Sequence, residues 1–427
     1  MNKKVILCCI VLFLTFQSFN SYSQNNFNEV KLPQYKLPEL LISINGKTIQ
    51  TSEDWINTRR PEVLSLFEKY VYGKFPEDYL DVKFEIKYID TNALCGKAIQ
   101  KDIIACFIKG RDTIKMEILI FIPANSTKPV PLFLGMNFMG NHTIHAEPSI
   151  PITKSYVHNN PECNIFNNTA THTSRGVSSF RWPVERILER GYGLATIYYG
   201  DIDPDFDDNF KNGIHSLLDY SEDIDSNDLS SISAWAFGLS TAMDYFEKDE
   251  HINKNQIVVF GHSRLGKTAL WAGAIDQRFA IVISNNSGCG GAALSRRKKG
   301  ETVEIINTKF PHWFSKNFHE FNDREDELPV DQHMLIGLIA PRPVYVASAE
   351  KDDWADPEGE FLSLYYSGPV YKLFGSDIII TDTLPEINKP LWVGKMGYHI
   401  RSGNHDITRF DWEKYLDFAD YHFNQKK

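Results

Sequence analysis

An α/β fold, with a mostly parallel central sheet, helices on both of its faces and an N-terminal extension, is what this sequence of 427 residues predicts. Short runs rich in apolar and β-branched residues recur along the chain and alternate with helical patterns in its second half. The first three runs follow one another like hairpins, which predicts an antiparallel leading edge on a parallel sheet. The run Ile257-Val258-Val259-Phe260 passes straight into Gly261-His262-Ser263-Arg264-Leu265-Gly266-Lys267 and then into the small, apolar stretch Thr268–Ala274. That is the pattern of a buried strand turning sharply into a helix packed close to the sheet.

The elements follow in order. Residues 1–24 carry Lys3 and Lys4, an apolar core from Val5 to Phe16 and the small residues Ser21-Tyr22-Ser23, the layout of a signal peptide. Export to the periplasm or the medium is therefore expected. Cys8 and Cys9 lie inside the apolar core, away from a small-residue cleavage site, so a lipoprotein anchor is not expected. The apolar core is short for a membrane span and nothing later is as continuously apolar, so no membrane insertion is expected. Residues 25–427 read as one catalytic domain, since neither an internal repeat nor a low-complexity linker divides them. Within it, 25–76 is an N-terminal extension, polar and proline-punctuated at first, then helical from Ser52 through Trp55 to Lys69, expected on the outside of the core. Strands are predicted at Val82–Ile89, Ile103–Ile108, Ile114–Phe121, Pro131–Gly135, Leu194–Tyr199, Gln256–Phe260, Ala280–Ser284, Pro343–Ser348 and Leu391–Lys395. The long polar stretch 141–181 reads as an insertion near the active face.

Composition narrows the partners. The formal net charge of −10 becomes −12 once the two lysines of the leader are gone, which argues against nucleic acid and anionic membranes. A neutral or weakly charged substrate fits better, and a monomer is expected. Cys95, Cys106, Cys163 and Cys289 have no paired metal-ligand spacing, although an oxidising compartment permits one or two disulfides. His142 and His145 lack the helical glutamate motif of a metalloprotease, and Gly288-Cys289-Gly290-Gly291 lacks the Lys-Ser/Thr ending of a phosphate-binding loop. No metal and no cofactor is expected.

The chemistry centres on Ser263. A serine on a strained strand-to-helix turn exposes its hydroxyl and places it at a helix N-terminus, where developing negative charge is favoured. The usual pattern is Gly-x-Ser-x-Gly; here Leu265 stands where the second glycine is expected and Gly266 follows. Downstream, the run Val344–Ala347 leads into Glu350-Lys351-Asp352-Asp353-Trp354-Ala355-Asp356, and His405 lies in the loop Gly403-Asn404-His405-Asp406. Serine, acid, histidine is the chain order of α/β-hydrolases, so an esterase-type hydrolase is expected. His405 would be the general base. The acid stays open within this cluster, among Asp352, Asp353 and Asp356.

Gly261–Lys267, Ser287-Gly288-Cys289-Gly290-Gly291-Ala292, Phe310-Pro311-His312-Trp313-Phe314, Trp354-Ala355-Asp356-Pro357 and Gly403-Asn404-His405 together resemble the glucuronoyl esterases, carbohydrate esterase family 15. The resemblance runs from about Pro76 to the C-terminus. It implies an α/β-hydrolase fold, no metal, and hydrolysis of the ester between a glucuronic acid carboxyl, often 4-O-methylated on xylan, and a lignin alcohol. It further implies that Arg264 stabilises the oxyanion and that Glu301 and Trp354 contact the sugar. Lys267, one helical turn beyond Ser263, would donate to sugar hydroxyls. One departure stands out. Many relatives carry a glutamate where this chain has Asn286, and other members place an acid where Asp352 stands. Two further readings accompany this one: an acetyl or feruloyl esterase on plant polysaccharide, and a non-catalytic carbohydrate-binding relative whose triad has decayed.

Overall fold

In the computed structural model, residues 34–76, 79–218 and 229–423 are described. The predicted signal peptide lies outside them. Ten strands form one sheet in the order β1-β2-β3-β5-β4-β6-β7-β8-β10-β9. They are β1 Asp81–Asn92, β2 Ala98–Lys109, β3 Asp112–Pro123, β4 Val130–Asn137, β5 Gly193–Tyr198, β6 Ile252–His262, β7 Ile281–Asn285, β8 Val344–Ala349, β9 Leu391–Val393 and β10 Met396–Arg401. Strands β1, β2 and β3 pair antiparallel, as the hairpin spacing predicts, and β3 joins β5 antiparallel. From β5 through β4, β6, β7 and β8 to β10 every pairing is parallel.

The alternation of side chains along a strand explains why β6 reads as an unbroken apolar run. Ile257 and Val259 point into one core with Trp235, Trp271 and Phe361, whereas Val258 and Phe260 point into the other with Phe133, Trp182 and Trp412. A strand covered on both faces has no solvent side to mark with polar residues. The helices Ser231–Phe246, Arg264–Ile275 and Pro357–Leu373 cover the first face, and Arg409–Phe423 covers the second.

Two expectations are corrected here. The helical run of the N-terminal extension, expected on the outside of the core, buries one side within it. Its helical turns run without a break through Ser52–Asp54, Trp55–Arg59, Arg60–Phe67 and Glu68–Tyr72, opened by the Thr51 side chain, which accepts from the Asp54 N–H. Trp55, Val63, Phe67, Val71 and Tyr72 are fully buried. Tyr72 stacks on Trp271 of the helix that follows Ser263 at 4.4 Å between ring centres, and its hydroxyl donates to the Gly290 carbonyl at 2.9 Å. The second correction concerns the sheet. Leu391–Val393 is a short antiparallel edge, and the strand that completes the parallel block, β10, comes just after it. Met396-Gly397-Tyr398-His399-Ile400-Arg401 does not look like a buried strand because two of its six residues are polar, yet all six are buried. His399 and Arg401 are accommodated by the buried carboxylate of Asp411, at 2.9 and 2.8 Å.

The stretch 141–181 is built from short 3-10 turns and sends His158, Asn159, Asn160 and Arg181 to the main cleft. The four cysteines among the described residues are unpaired. Among those residues no helix is long and apolar enough to cross a membrane.

Candidate active site

Ser263 sits between the end of β6 and the helix Arg264–Ile275 with φ 57° and ψ −130°, a left-handed backbone that only a tightly determined turn supports. Its neighbours explain the displaced glycine. A Cβ on Gly261 would lie 1.9 Å from the Leu265 carbonyl oxygen, so position 261 admits no side chain. A Cβ on Gly266 would meet the Gly261 carbonyl oxygen and the Ser287 Cβ at 3.1 Å, where the helix crosses the loop after β7. The close approach falls at 266, and Leu265 points elsewhere, into the core. The Ser263 N–H donates to the Asn285 carbonyl at 2.9 Å, which ties the turn to β7. As first residues of the helix, Arg264 and Leu265 have N–H groups with no preceding helical carbonyl.

His405 and Asp352 meet although 53 residues separate them: His405 Nδ1 lies 2.6 Å from Asp352 Oδ2. The carboxylate accepts only, so Nδ1 carries the proton and Nε2 the lone pair. Of the three acids left open by the sequence, geometry selects this one. Asp353 is exposed, and Asp356 is buried in an ion pair with Arg297 at 2.7 Å. Asp352 is buried, which pushes its carboxyl up. His405, the Asn286 amide and the Ala355 N–H outweigh that and hold it below the usual carboxylate range. Asn286 and Asp352 leave the ends of adjacent parallel strands, and Asn286 Nδ2 donates to Asp352 Oδ2 at 2.8 Å. The two places where an acid could stand are thus in hydrogen-bond contact, and here one holds the acid and the other a donor to it.

The loop bearing His405 is fixed from below. Arg401 donates to the carbonyls of Ser402, Asn404 and Asp406, and Arg181 binds the Asp406 carboxylate at 2.6 Å. His262 lies against His405 at 4.6 Å between ring centres, with its Nδ1 2.6 Å from Asn285 Oδ1. Burial, then His405 and Arg181, keep this second imidazole neutral.

Ser263, Arg264, His262 and His405 line one cleft of about 700 Å³, walled by Phe138, Phe206, Phe310 and the residues sent by the 141–181 stretch. Arg264 lies under three rings, with its guanidinium carbon 5.0 Å from the centre of Trp313, 5.2 Å from Phe138 and 6.0 Å from Tyr199. Its Nε is 3.3 Å from the buried Asp205 carboxylate. Among the described residues its Nη groups have no hydrogen-bond partner.

Lys267, Glu301 and Trp354 form a separate cluster beside this cleft rather than part of its wall. The Lys267 ammonium is buried and donates to Ser287 O at 2.6 Å, Cys289 O at 2.7 Å and Glu301 Oε2 at 3.0 Å. All three of its donors are thereby engaged within the protein. Glu301 accepts from Trp354 Nε1 at 3.2 Å through its other oxygen. Trp354 keeps 44% of its surface exposed, and Lys309, which does line the cleft, stands 4.4 Å over its ring. Among the described residues no three His, Cys, Asp or Glu side chains gather as a metal site.

Sequence reasoning missed Asp205, Tyr199, His262 and Asn285. One signal was available. The acids Asp201, Asp203 and Asp205 come directly after β5, and in parallel sheets functional groups collect at the carboxyl ends of strands.

Comparison with known proteins places this geometry. A family model described as glucuronyl esterase of fungi matches residues 220–375. The carbohydrate esterase MZ0003 of an unknown prokaryotic organism is 50% identical over 404 residues, covering 93% of this chain and 92% of that one. The 4-O-methyl-glucuronoyl methylesterase of Schizophyllum commune is 26% identical over 353 residues, 79% of this chain and 74% of its own. Among solved structures, a CE15 esterase described as promiscuous, from a marine bacterial metagenome, superposes with a TM-score of 0.87 at 49% identity, covering 93% of this chain and 99% of that one. The glucuronoyl esterase of Solibacter usitatus gives 0.86 at 44% identity, with 92% and 100% covered. The chain belongs to the glucuronoyl esterases, carbohydrate esterase family 15, and is a carboxylic ester hydrolase with the α/β-hydrolase fold.

Proposed function

We propose that the protein is an exported serine esterase that hydrolyses the ester between a (4-O-methyl-)glucuronic acid carboxyl of glucuronoxylan and a lignin alcohol, through a Ser263–His405–Asp352 acyl-enzyme. The observation that carries the mechanism is the His405–Asp352 contact of 2.6 Å in the same cleft as a serine held at positive φ. His405 Nε2 takes the Ser263 proton as Oγ attacks the uronoyl carbonyl. Asp352 stays ionised and stabilises the imidazolium. The oxyanion develops against the Nη donors of Arg264 and the N–H groups at the helix start, both at the cleft. Collapse breaks the bond to the alcohol, which leaves with the proton from His405. Water then attacks the acyl carbonyl as His405 takes its proton, and the acyl–Oγ bond breaks as His405 returns that proton to Oγ, releasing the free uronate and restoring Ser263.

Two further points support the substrate side. The name of the Schizophyllum commune relative specifies 4-O-methyl-glucuronoyl esters for that protein, and the leader pattern of residues 1–24 fits an enzyme that meets plant polymer outside the cell. The ordered acid at Asp352 argues against a decayed, purely binding relative. The test is hydrolysis of a benzyl glucuronate ester beside acetylated xylan and a neutral acetyl ester. Uronate turnover that is lost in Ser263→Ala is expected; activity confined to the acetyl substrates would reject the uronate reading in favour of an acetyl esterase.

A further inference from the structure

Asp205 lines the cleft with four partners around its carboxylate, and nothing in the reaction uses it directly. Its Oδ1 accepts from His312 Nε2 at 2.9 Å and from Trp313 Nε1 at 2.6 Å. Its Oδ2 accepts from the Tyr199 hydroxyl at 3.0 Å and faces Arg264 Nε at 3.3 Å. Its own backbone carbonyl lies 2.5 Å from His158 Nε2. The Asp205 side chain is 4% exposed and that of Arg264 is 24% exposed, so the acid is sealed behind the cation. Burial pushes the Asp205 carboxyl up, but Arg264, His312 and Trp313 outweigh it and hold the acid ionised.

Tyr199 and Trp313 each do two things: they donate to Asp205 and they present a ring to the Arg264 guanidinium. The Arg264 guanidinium is thereby held among three rings and beside the Asp205 carboxylate, an ion-pair contact at 3.3 Å without a hydrogen bond at Nε, while its Nη groups remain available. An unrestrained arginine pays for ordering its rotamers each time it meets a transient charge, whereas one already aimed reorganises nothing. We propose that Asp205 is a positioning residue that fixes Arg264 for the oxyanion, and that the Phe310–Phe314 segment serves this hub through His312 and Trp313. The inference deepens the proposed mechanism and rests on its assignment of Arg264.

The test is a double-mutant cycle of Arg264→Ala and Asp205→Asn, with Ser263→Ala as the blank, run on whichever ester the wild type hydrolyses through Ser263, a neutral acetyl ester included. Absence of uronate turnover would then overturn the substrate reading and leave the cycle measurable. Arg264→Ala is expected to lower kcat about 10²–10³-fold, the scale of one lost oxyanion donor. Asp205→Asn should lower kcat severalfold with KM little changed, and the double variant should be no slower than Arg264→Ala alone, because a residue acting through another has nothing left to act on. Exogenous guanidinium should partly restore Arg264→Ala while Asp205 is present and fail once it is Asn. Losses that multiply, or rescue that ignores Asp205, would overturn the proposal. If Asp205→Asn does not fold, Tyr199→Phe removes a single donor to the same carboxylate, and its kcat loss must likewise vanish in the Arg264→Ala background; persistence there overturns the proposal.

Discussion

Arg264 and Lys267 are two cations three residues apart on the same helix, and the structure treats them in opposite ways. Arg264 is boxed by rings and held beside the Asp205 carboxylate by charge at 3.3 Å, with its Nη groups uncommitted among the described residues. Lys267 gives its hydrogens to two carbonyls and a carboxylate of the protein itself. The difference teaches how to separate a group that acts on an incoming molecule from one that holds the site's shape: the first keeps donors free at the end of a fixed stem, the second has spent them. Spacing along a helix puts both on one side of the chain but says nothing about which donors are already used.

The comparison is broken most severely at the reacting groups. Ser263→Ala and His405→Ala should each lower kcat by about 10⁴-fold or more, measured on a uronate ester under saturating conditions, because triad members act as a unit. Asp352→Asn should cost about 10³–10⁴-fold through loss of the His405 tautomer and of the charge opposite the imidazolium. Introducing Asn286→Glu into Asp352→Asn should recover part of that loss, since the two positions already touch at 2.8 Å. No recovery in a folded double variant would mean that adjacency is insufficient and that the carboxylate must come from the β8 side. Lys267→Met sharpens the contrast with Arg264. It should lower stability by about 3 kcal/mol, as expected when one partner of a buried pair is removed, and lower kcat less than Arg264→Ala does. Thermal melts and kinetics on the same samples separate the two effects.

The last expected effect falls on stability rather than on the reaction and concerns Glu360. Burial pushes its carboxyl up to about 8, against the opposing donors Ser348, Gly288 and Ser287. A carboxyl that holds its proton more tightly when folded contributes stability that is fully present below its ordinary value of 4.5 and lost as pH rises through about 8. Wild-type stability should therefore fall across that window, and Glu360→Gln, which copies the neutral form, should flatten the dependence in denaturant titrations at several pH values.

What could be read from the residues follows from how local each cause is. The turn at Ser263 was legible because strand, glycines and helix are contiguous. Strand β10 was not, because His399 and Arg401 are made tolerable in the interior by Asp411, whose role is invisible without the fold. Asp352 was one of three close acids. Arg297 takes Asp356 and solvent takes Asp353, and neither fact lies in the loop itself. Asp205 escaped notice because its four partners come from Tyr199, Arg264, His312 and Trp313, spread over more than a hundred residues. The buried side of the N-terminal helical run was hidden for the same reason, since the surface it covers belongs to the helix after Ser263.

The most direct test of the mechanism is mass spectrometry of enzyme quenched during turnover of a 4-O-methylglucuronate ester. A uronoyl adduct on the peptide containing Ser263, accumulating in wild type and absent from His405→Ala, is the predicted result. Uronate release that continues in Ser263→Ala, with no adduct at any time in wild type, would contradict the acyl-enzyme account.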